Sequence, residues 1–360
     1  MSQIYDSSLI GKKESVVDQI LLLNPHQTPL INMLGFSDPV TQTTHQWFED
    51  EMFADESTVN GAKVAADTTI TVADVEPFRV GHVIKIGDEL LKVTAINGND
   101  LTVIRGYAST QAADIADGAK VEVQFVEGVE GADARAARYK ARVPKHNKTQ
   151  IFDDTIEISG TAQAVTQYGI TDLYAYEKDK KQLELALQLE KALINGVEYE
   201  NGQVRQMRGI RSFIQSNVAN VSGELTIDHI NDLAQDIYEQ GGFSSGGRYV
   251  IIVPAKQKRA ISKFSDDKVY YRQAENVRGQ VVDMIATDFG EFEVHLNNNL
   301  NPDELFLVDA NRIAIRPLAG REFFHKYMGE KGDYTTGIVV GEYTLEFKQE
   351  KAHGRLKGLA

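Results

Sequence analysis

The sequence has no cysteine, a single tryptophan and only eight prolines in 360 residues. Without cysteine there is no disulfide, no thiolate nucleophile and no Cys-ligated zinc. Long apolar runs are missing too. The run Ile20–Leu23 is four residues, against the roughly 20 needed to cross a bilayer. The start, MSQIYDSSLIGKKESV, has no basic segment followed by an apolar core, so neither a signal peptide nor a membrane partner is expected. Basic residues are outnumbered, 38 Lys and Arg against 52 Asp and Glu, for a formal charge of −14. Such a surface does not coat nucleic acid, and it repels its own copies unless specific contacts overcome the repulsion. With 42% hydrophobic and 25% charged residues the chain is globular, and its length suits two or three compact units. No self-similarity at a period of about 20–50 residues points to a solenoid.

The patterns of catalysis are missing as well. The eight histidines (His26, His45, His82, His146, His229, His295, His325 and His353) lie at least 19 residues apart, and no HExxH or other compact metal-ligand spacing occurs. There is no GxxxxGK[ST] loop, and GGFSSGG at 241–247 lacks the lysine and following helix that would cradle phosphate. No G-x-S-x-G elbow occurs. The adjacent acids Asp153-Asp154 and Asp266-Asp267 would face opposite sides of a strand, which prevents paired acid/base work. No enzyme, cofactor or metal is expected.

What the sequence does contain is a long amphipathic stretch, TDLYAYEKDKKQLELALQLEKALING, at 171–196. Thr171 or Asp172 can cap it. Leu183 and Leu187, and then Leu185, Leu189 and Leu193, recur every fourth residue. Glu177 stands four residues before Lys181, and Asn195-Gly196 offers a left-handed stop. Such a rod would be roughly 36 Å long.

Ahead of it, residues 1–46 read as an arm. Lys13–Leu23 has helical apolar spacing, and Pro25, Pro29 and Pro39 are expected to keep the remainder extended. Its apolar residues must lie either on another subunit or on their own domain. Thr41–Asp50, with Trp47, reads as a strand.

From Val59 to Val126, short strands are expected at Thr68–Val72, Val83–Ile86, Glu89–Ile96, Leu101–Arg105 and Lys120–Phe125. Hairpin turns fall at Asn97-Gly98 and Gly87-Asp88. This small barrel or sandwich carries six basic against ten acidic residues over 58–127, which argues against an oligonucleotide groove.

A basic stretch follows: Arg135, Arg138, Lys140, Arg142, Lys145 and Lys148 within 14 positions, alternating like a strand, with Pro144 excluding a central one. Its partner is either nucleic acid or, given the net charge, the acidic surface of a neighbouring copy. Ile151–Ser159 is a further strand. Beyond the helix, 225–320 reads as an α/β unit. A helix capped by Thr226 is followed by the buried strand Tyr249–Val253 and a helix begun by Pro254. Strands at Val281–Ala286, Phe292–Leu296, Glu304–Val308 and Ile313–Ile315 complete a mixed sheet. Tyr334–Phe347 alternates as a strand pair or one long bent strand.

In this order the pieces resemble the major capsid protein of tailed bacteriophages, the Hong Kong 97-type fold. The stretches carrying the likeness are RVPKHNKTQIFDDTIEISGTAQAVTQYGI before the helix, NGVEYENGQVRQMRGIRSF after it, LTIDHINDLAQDIYEQGG with YVIIVPAKQKRAISKF, and GIVVGEYTLEFKQEKAHGRLKGL at the end. The segment VGHVIKIGDELLKVTAINGNDLTVIRGYASTQAA resembles small β modules of phage structural proteins, with Ser109-Thr110 where Gly-Thr is more usual.

The resemblance implies an α+β chain with an N-terminal arm (1–40) and an E-loop (41–57 and 128–165) carrying an inserted small β-barrel domain (58–127). A P-domain (166–224 and 321–360) would hold the spine helix, about 172–195, and 225–320 would form the A-domain. It implies a structural shell protein forming hexamers and pentamers around double-stranded DNA, in a virion assembled in the host bacterial cytoplasm. Expected partners are copies of itself, a portal, a possible decoration protein and, with this start at Met1, a separate scaffolding protein. DNA would be contacted non-specifically at most. The candidate inter-subunit residues are Leu21, Leu22, Trp47, Arg135, Arg138, Lys140, Arg142, Lys145 and Lys148. Two alternatives remain at this point, an encapsulin-like nanocompartment shell around protein cargo and, more remotely, a hydrolase with a β accessory domain.

Overall fold

The leucine-rich stretch forms a helix over Leu173–Asn195 in the computed structural model, which describes residues 28–131, 133–165, 170, 172–243, 247–263, 271–275, 281–330 and 332–360. The Asp172 side chain caps it, accepting from the Ala175 amide at 3.1 Å. Thr171, Leu21, Leu22, the Lys13–Leu23 stretch and Asp266-Asp267 lie outside the described residues. Leu185, Leu189 and Leu193 are fully buried, whereas Leu183 and Leu187 are half-buried at the edge of the stripe.

Two details of the helix differ from expectation. Lys181 turns to Asp154 (2.8 Å) and Glu184 (3.0 Å), and Glu177 lies beside Lys180 instead. The tertiary carboxylate on the neighbouring strand outcompetes the helical i,i+4 pair. Gly196 is not left-handed: its φ is −54°. Glycine is required there by crowding, because a Cβ would sit 2.5 Å from the carbonyl oxygens of both Ala192 and Met207. The chain returns at Gly209, whose amide donates to the Gly196 carbonyl at 2.9 Å.

Contacts divide the chain into two compact units, one of Met1–Trp47 with Pro144–Ala360 and one of Phe48–Val143. In the first, the long strand Tyr334–Phe347 is shared by several partners. Gln150–Ser159 pairs along Tyr334–Tyr343, Phe324–Glu330 along Thr335–Val340, and Ile313–Pro317 along Tyr343–Phe347, all antiparallel. A second sheet has seven strands in the order Val218–Gly223, Gly354–Leu359, Leu305–Asp309, Tyr249–Val253, Gly290–Leu296, Val281–Thr287 and Tyr271–Glu275. Two of its pairings are parallel, so the sheet is mixed. Ile313–Ile315, expected in this sheet, belongs to the other one. The basic C-terminal residues supply a strand, Gly354–Leu359, that alternation did not reveal. Tyr249–Val253 is buried throughout, as its unbroken apolar run requires. The helix Ile227–Glu239, capped by Thr226, lays Ile230, Leu233, Ala234 and Ile237 onto the core.

The described part of the arm lies on its own chain. Pro29 does not keep it extended but opens a short helix, Pro29–Leu34, at the first position, where a missing N–H costs nothing. Leu30 joins the main core, and Phe36 and Val40 bridge to Ile315 and Leu318.

The second unit is a six-stranded sheet ordered Glu56–Thr58, Lys120–Val126, His82–Ile86, Glu89–Asn97, Asp100–Ile104 and Thr69–Thr71. The two outermost strands are joined by a Val59–Val72 bridge and by bonds from Asn60 N to Thr71 O (2.8 Å) and Ala73 N to Thr58 O (2.9 Å). Gly87 and Gly98, both at φ 60°, make the expected hairpins. Val59, Ile70, Ile84, Leu91, Val93, Leu101 and Val121 fill the interior. Arg105 locks the turns. It grips the carboxylate of Glu89 through two bonds, at 2.8 and 2.7 Å, and donates to the carbonyls of Val64, Asp67 and Ala113. The unit as a whole spans Phe48–Val143.

Candidate functional site

The alternation GEYTLEF places two kinds of residue on the two faces of one strand. Tyr343, Leu345 and Phe347 enter the main hydrophobic core, while Glu342, Thr344 and Glu346 are buried on the opposite face. Buried carboxylates are costly unless paired and hydrogen-bonded. Both are. Glu342 accepts from Thr149 Oγ1 (2.6 Å) and Arg205 (3.0 Å) and pairs with Arg321 (2.8 Å). Glu346 is held by His45 Nε2 (2.6 Å), by Lys348 Nζ (2.5 Å) and by Arg316 Nε. Burial alone would raise the Glu346 pKa, but these three hydrogen bonds outweigh it and hold the group at about 2. The network ties together chain segments far apart in sequence. An acid fixed as an anion by this many donors is a structural tie and is poorly suited to shuttle protons.

Glu304 repeats the arrangement, bonded to Arg211 (2.9 Å) and Arg355 (2.7 Å). Glu190 differs, because its carboxylate accepts from neutral groups: the amides of Leu30 and Ile31 and the side chain of Asn297. Nothing in the sequence marked it, since it stands among ordinary helix charges.

The predicted contact residues are dispersed. Trp47 is buried in the main core against Phe213, with ring centroids 6.2 Å apart. Residues 133–142 have no regular structure, so the basic stretch is a strand only over Val143–Lys148, paired with Thr44–Glu49. Pro144 fits there because this is a two-stranded sheet with no central position. Arg142 lies 3.3 Å from Asp50, Lys148 pairs with Glu200, and Lys140 is 3.8 Å from both Glu51 and Glu76. Arg138 donates to the Pro77 carbonyl (3.1 Å) and lies over the Phe53 ring, and Arg135 donates to the Glu127 carbonyl. Lys145 is exposed.

The histidines are equally scattered. His353, fully buried, accepts from the Asp309 amide at 3.1 Å and donates to the Lys348 carbonyl at 3.1 Å, and burial pushes it down to about 3. His325 meets the Tyr174 hydroxyl at 2.9 Å. Asp153 and Asp154 sit on successive residues of one strand, with Asp154 bound to Lys181. Among the described residues no three His, Asp or Glu side chains are grouped to hold a metal ion, and no helix is long and apolar enough to cross a membrane.

No curated protein matches the chain. Among solved structures, it is similar to the capsid of a native GTA particle, with a TM-score of 0.55 and 10% identity over 99% of this chain and 98% of that one. It is also similar to a chain of Mycobacterium phage Bobi (TM-score 0.53, 8% identity, 99% of both chains) and to the capsid of Myoviridae phage XM1 (0.52, 10%, 96% and 97%). At these identities the likeness shows the fold, an α+β architecture of the Hong Kong 97 type. The family described as SU10 major capsid protein matches residues 3–360. With that match spanning nearly its whole length, the chain belongs to the SU10 major capsid protein family and is a structural, non-enzymatic major capsid protein.

Proposed function

We propose that the chain closes an icosahedral phage head as hexamers and pentamers and encloses double-stranded DNA. The observation that carries this reading is the family match over 3–360. In this arrangement Leu173–Asn195 is the spine of a P-domain (166–224 and 321–360), 225–320 is the axial A-domain, and 1–40 is an arm that continues onto neighbouring copies. The second unit is a β-barrel inserted within an E-loop of 41–57 and 128–165. Its joined outer strands support a closed barrel, and its own hydrophobic interior supports an independent module. Exposed cations of the basic segment, Lys145 above all, would face acidic surfaces of adjacent subunits, with Leu21 and Leu22 contributing apolar contacts from the arm. Scaffolding protein, portal and a decoration protein are the further partners of this reading, with assembly in the host cytoplasm before the virion is completed.

Electron microscopy of the purified chain, with scaffolding protein supplied, tests it. Closed shells are the expected result, and DNA rather than enzyme cargo in native particles separates a head from a nanocompartment. A chain that stays monomeric under every such condition overturns the proposal.

A further inference from the structure

The second unit contains a basic recess that its hydrophobic interior does not account for. An open surface recess of about 550 Å³ is lined by Phe53, Arg79, His82, Arg135, Ala136, Ala137 and Arg138. That volume is within the range of small-ligand sites. A tight turn sets two of these residues. The His82 amide donates to the Arg79 carbonyl at 3.1 Å, across Gly81 at φ 88°, a conformation other residues adopt only with strain. Gly81 is then fastened on both sides, its amide to Val93 O (2.9 Å) and its carbonyl to the Glu127 amide (2.8 Å).

Three arginines therefore line one recess in a chain whose formal charge is −14. Among the described residues none of the three has a carboxylate within ion-pair distance, although nearly every other arginine of the fold is so paired. Arg138 uses one donor on Pro77 O and is steadied by the Phe53 ring, 3.8 Å below its central carbon. Arg135 uses one on Glu127 O, and Arg79 has no side-chain bond among the described residues. A guanidinium carries five N–H donors, so most of the donor capacity here is unspent.

A second, independent observation points the same way. His82 is only 6% exposed, and its Nδ1 is buried without a partner. Buried polar atoms of this kind are uncommon and costly, and a bound ion is one of their ordinary explanations. Burial, and then the positive charges of Arg138, Arg79 and Arg135, push the His82 pKa down to about 4. At neutral pH the ring is therefore uncharged, and a bound anion would relieve both the like-charge crowding and the unspent donors.

We propose that this recess is an oxyanion site, in which the guanidinium groups of Arg79, Arg135 and Arg138 and the ring of His82 hold one phosphate or carboxylate group. The proposal stands independently of whether the chain forms shells. The shared chemistry has two sources, a free phosphate ion or the carboxylate of an Asp or Glu on a second copy of the chain.

Calorimetric titration of inorganic phosphate into the full-length, unassembled protein, against chloride at matched ionic strength, tests it. Saturable binding of one phosphate per chain is expected. Arg79→Ala should weaken binding about tenfold or more, the loss expected for a charge-assisted hydrogen bond, and so should Arg135→Ala. Arg142→Ala, outside the recess, should leave binding unchanged, and melting curves confirm that each variant is folded. Assembled particles identify the source. Phosphate binding that persists there assigns the site to the free ion, and binding that disappears on assembly and returns on dissociation assigns it to the neighbour's carboxylate. Phosphate heats indistinguishable from chloride, or equal affinities for Arg79→Ala and Arg142→Ala, would overturn the proposal.

Discussion

The carboxylate of Glu190 accepts the backbone amides of Leu30 (2.9 Å) and Ile31 (3.0 Å), so the long helix caps the first turn of the short helix Pro29–Leu34. Those amides have no partner within their own helix, and Asn297 completes the set with a third bond at 2.7 Å. Replacing Glu190 by Ala strips the buried acceptor and should cost about 3 kcal/mol in urea unfolding, the penalty of leaving such donors unmade. Burial raises the Glu190 pKa above the ordinary 4.5, and the three hydrogen bonds pull it back only in part. A raised folded pKa means that the native state binds the proton more tightly. The contribution is complete below 4.5 and is lost as pH climbs through the higher folded value. Wild type should therefore lose stability with rising pH over that window relative to Glu190→Gln. Parallel curves for the two proteins would rule out this account.

Glu346 has the opposite sign. Its folded pKa is held at about 2 by His45, Lys348 and Arg316 against the effect of burial. Its stabilisation is present above the unfolded value of 4.5 and drains away as pH falls towards 2. A shift of that size corresponds to about 3 kcal/mol at neutral pH. Glu346→Gln should lower neutral-pH stability and flatten the acid limb of the stability curve. If the acid limb of the variant matches that of wild type, other carboxylates carry the acid sensitivity.

Gly196 and Gly209 make a backbone crossing that admits no side chain. A Cβ on Gly209 would lie 2.6 Å from Gly196 N and 2.7 Å from Ala192 O. Either Gly→Ala change pushes backbone against backbone and should cost about 3 kcal/mol. Gly202→Ala is the contrast: Gly202 has φ 58° and open space around its missing Cβ, so only local strain of about 1 kcal/mol applies. Urea midpoints should rank the three accordingly. A Gly202 variant as damaged as the other two would remove crowding as the cause.

These sites also show what a single sequence reveals. Five of the six strands of the second unit were legible because alternation and the Asn97-Gly98 turn are local signals, though the short edge strand Glu56–Thr58 was not, and the long helix was legible because its leucines repeat every fourth residue. Glu190, Glu342 and Glu346 were not, because their roles depend on donors distant in the chain: Arg205 is 137 residues from Glu342, and Arg316 is 30 from Glu346. The expected left-handed stop at Gly196 failed for the same reason. A glycine needed for close approach looks, in sequence, identical to one needed for positive φ. The cations of the basic stretch were equally ambiguous, since clustering in sequence could not show that most of them are bonded within their own chain.

Lys145 is the exception among those cations. It is exposed on the strand Val143–Lys148 and has no ion-pair partner among the described residues, whereas Arg142 and Lys148 have acids beside them. Reversing an exposed, unpaired charge changes the stability of a single chain by no more than about 0.5 kcal/mol. In the proposed shell the same lysine faces an acidic neighbour, and a glutamate there would add repulsion to surfaces that already carry a net negative charge. Lys145→Glu should thus leave the melting temperature of the unassembled chain nearly unchanged while sharply reducing the yield of closed shells. Raising the salt concentration should partly restore that yield by screening the new repulsion. Equal shell yields for Lys145→Glu and wild type at low salt would remove Lys145 from the contact, and a yield loss accompanied by a lower melting temperature would place its role within the chain.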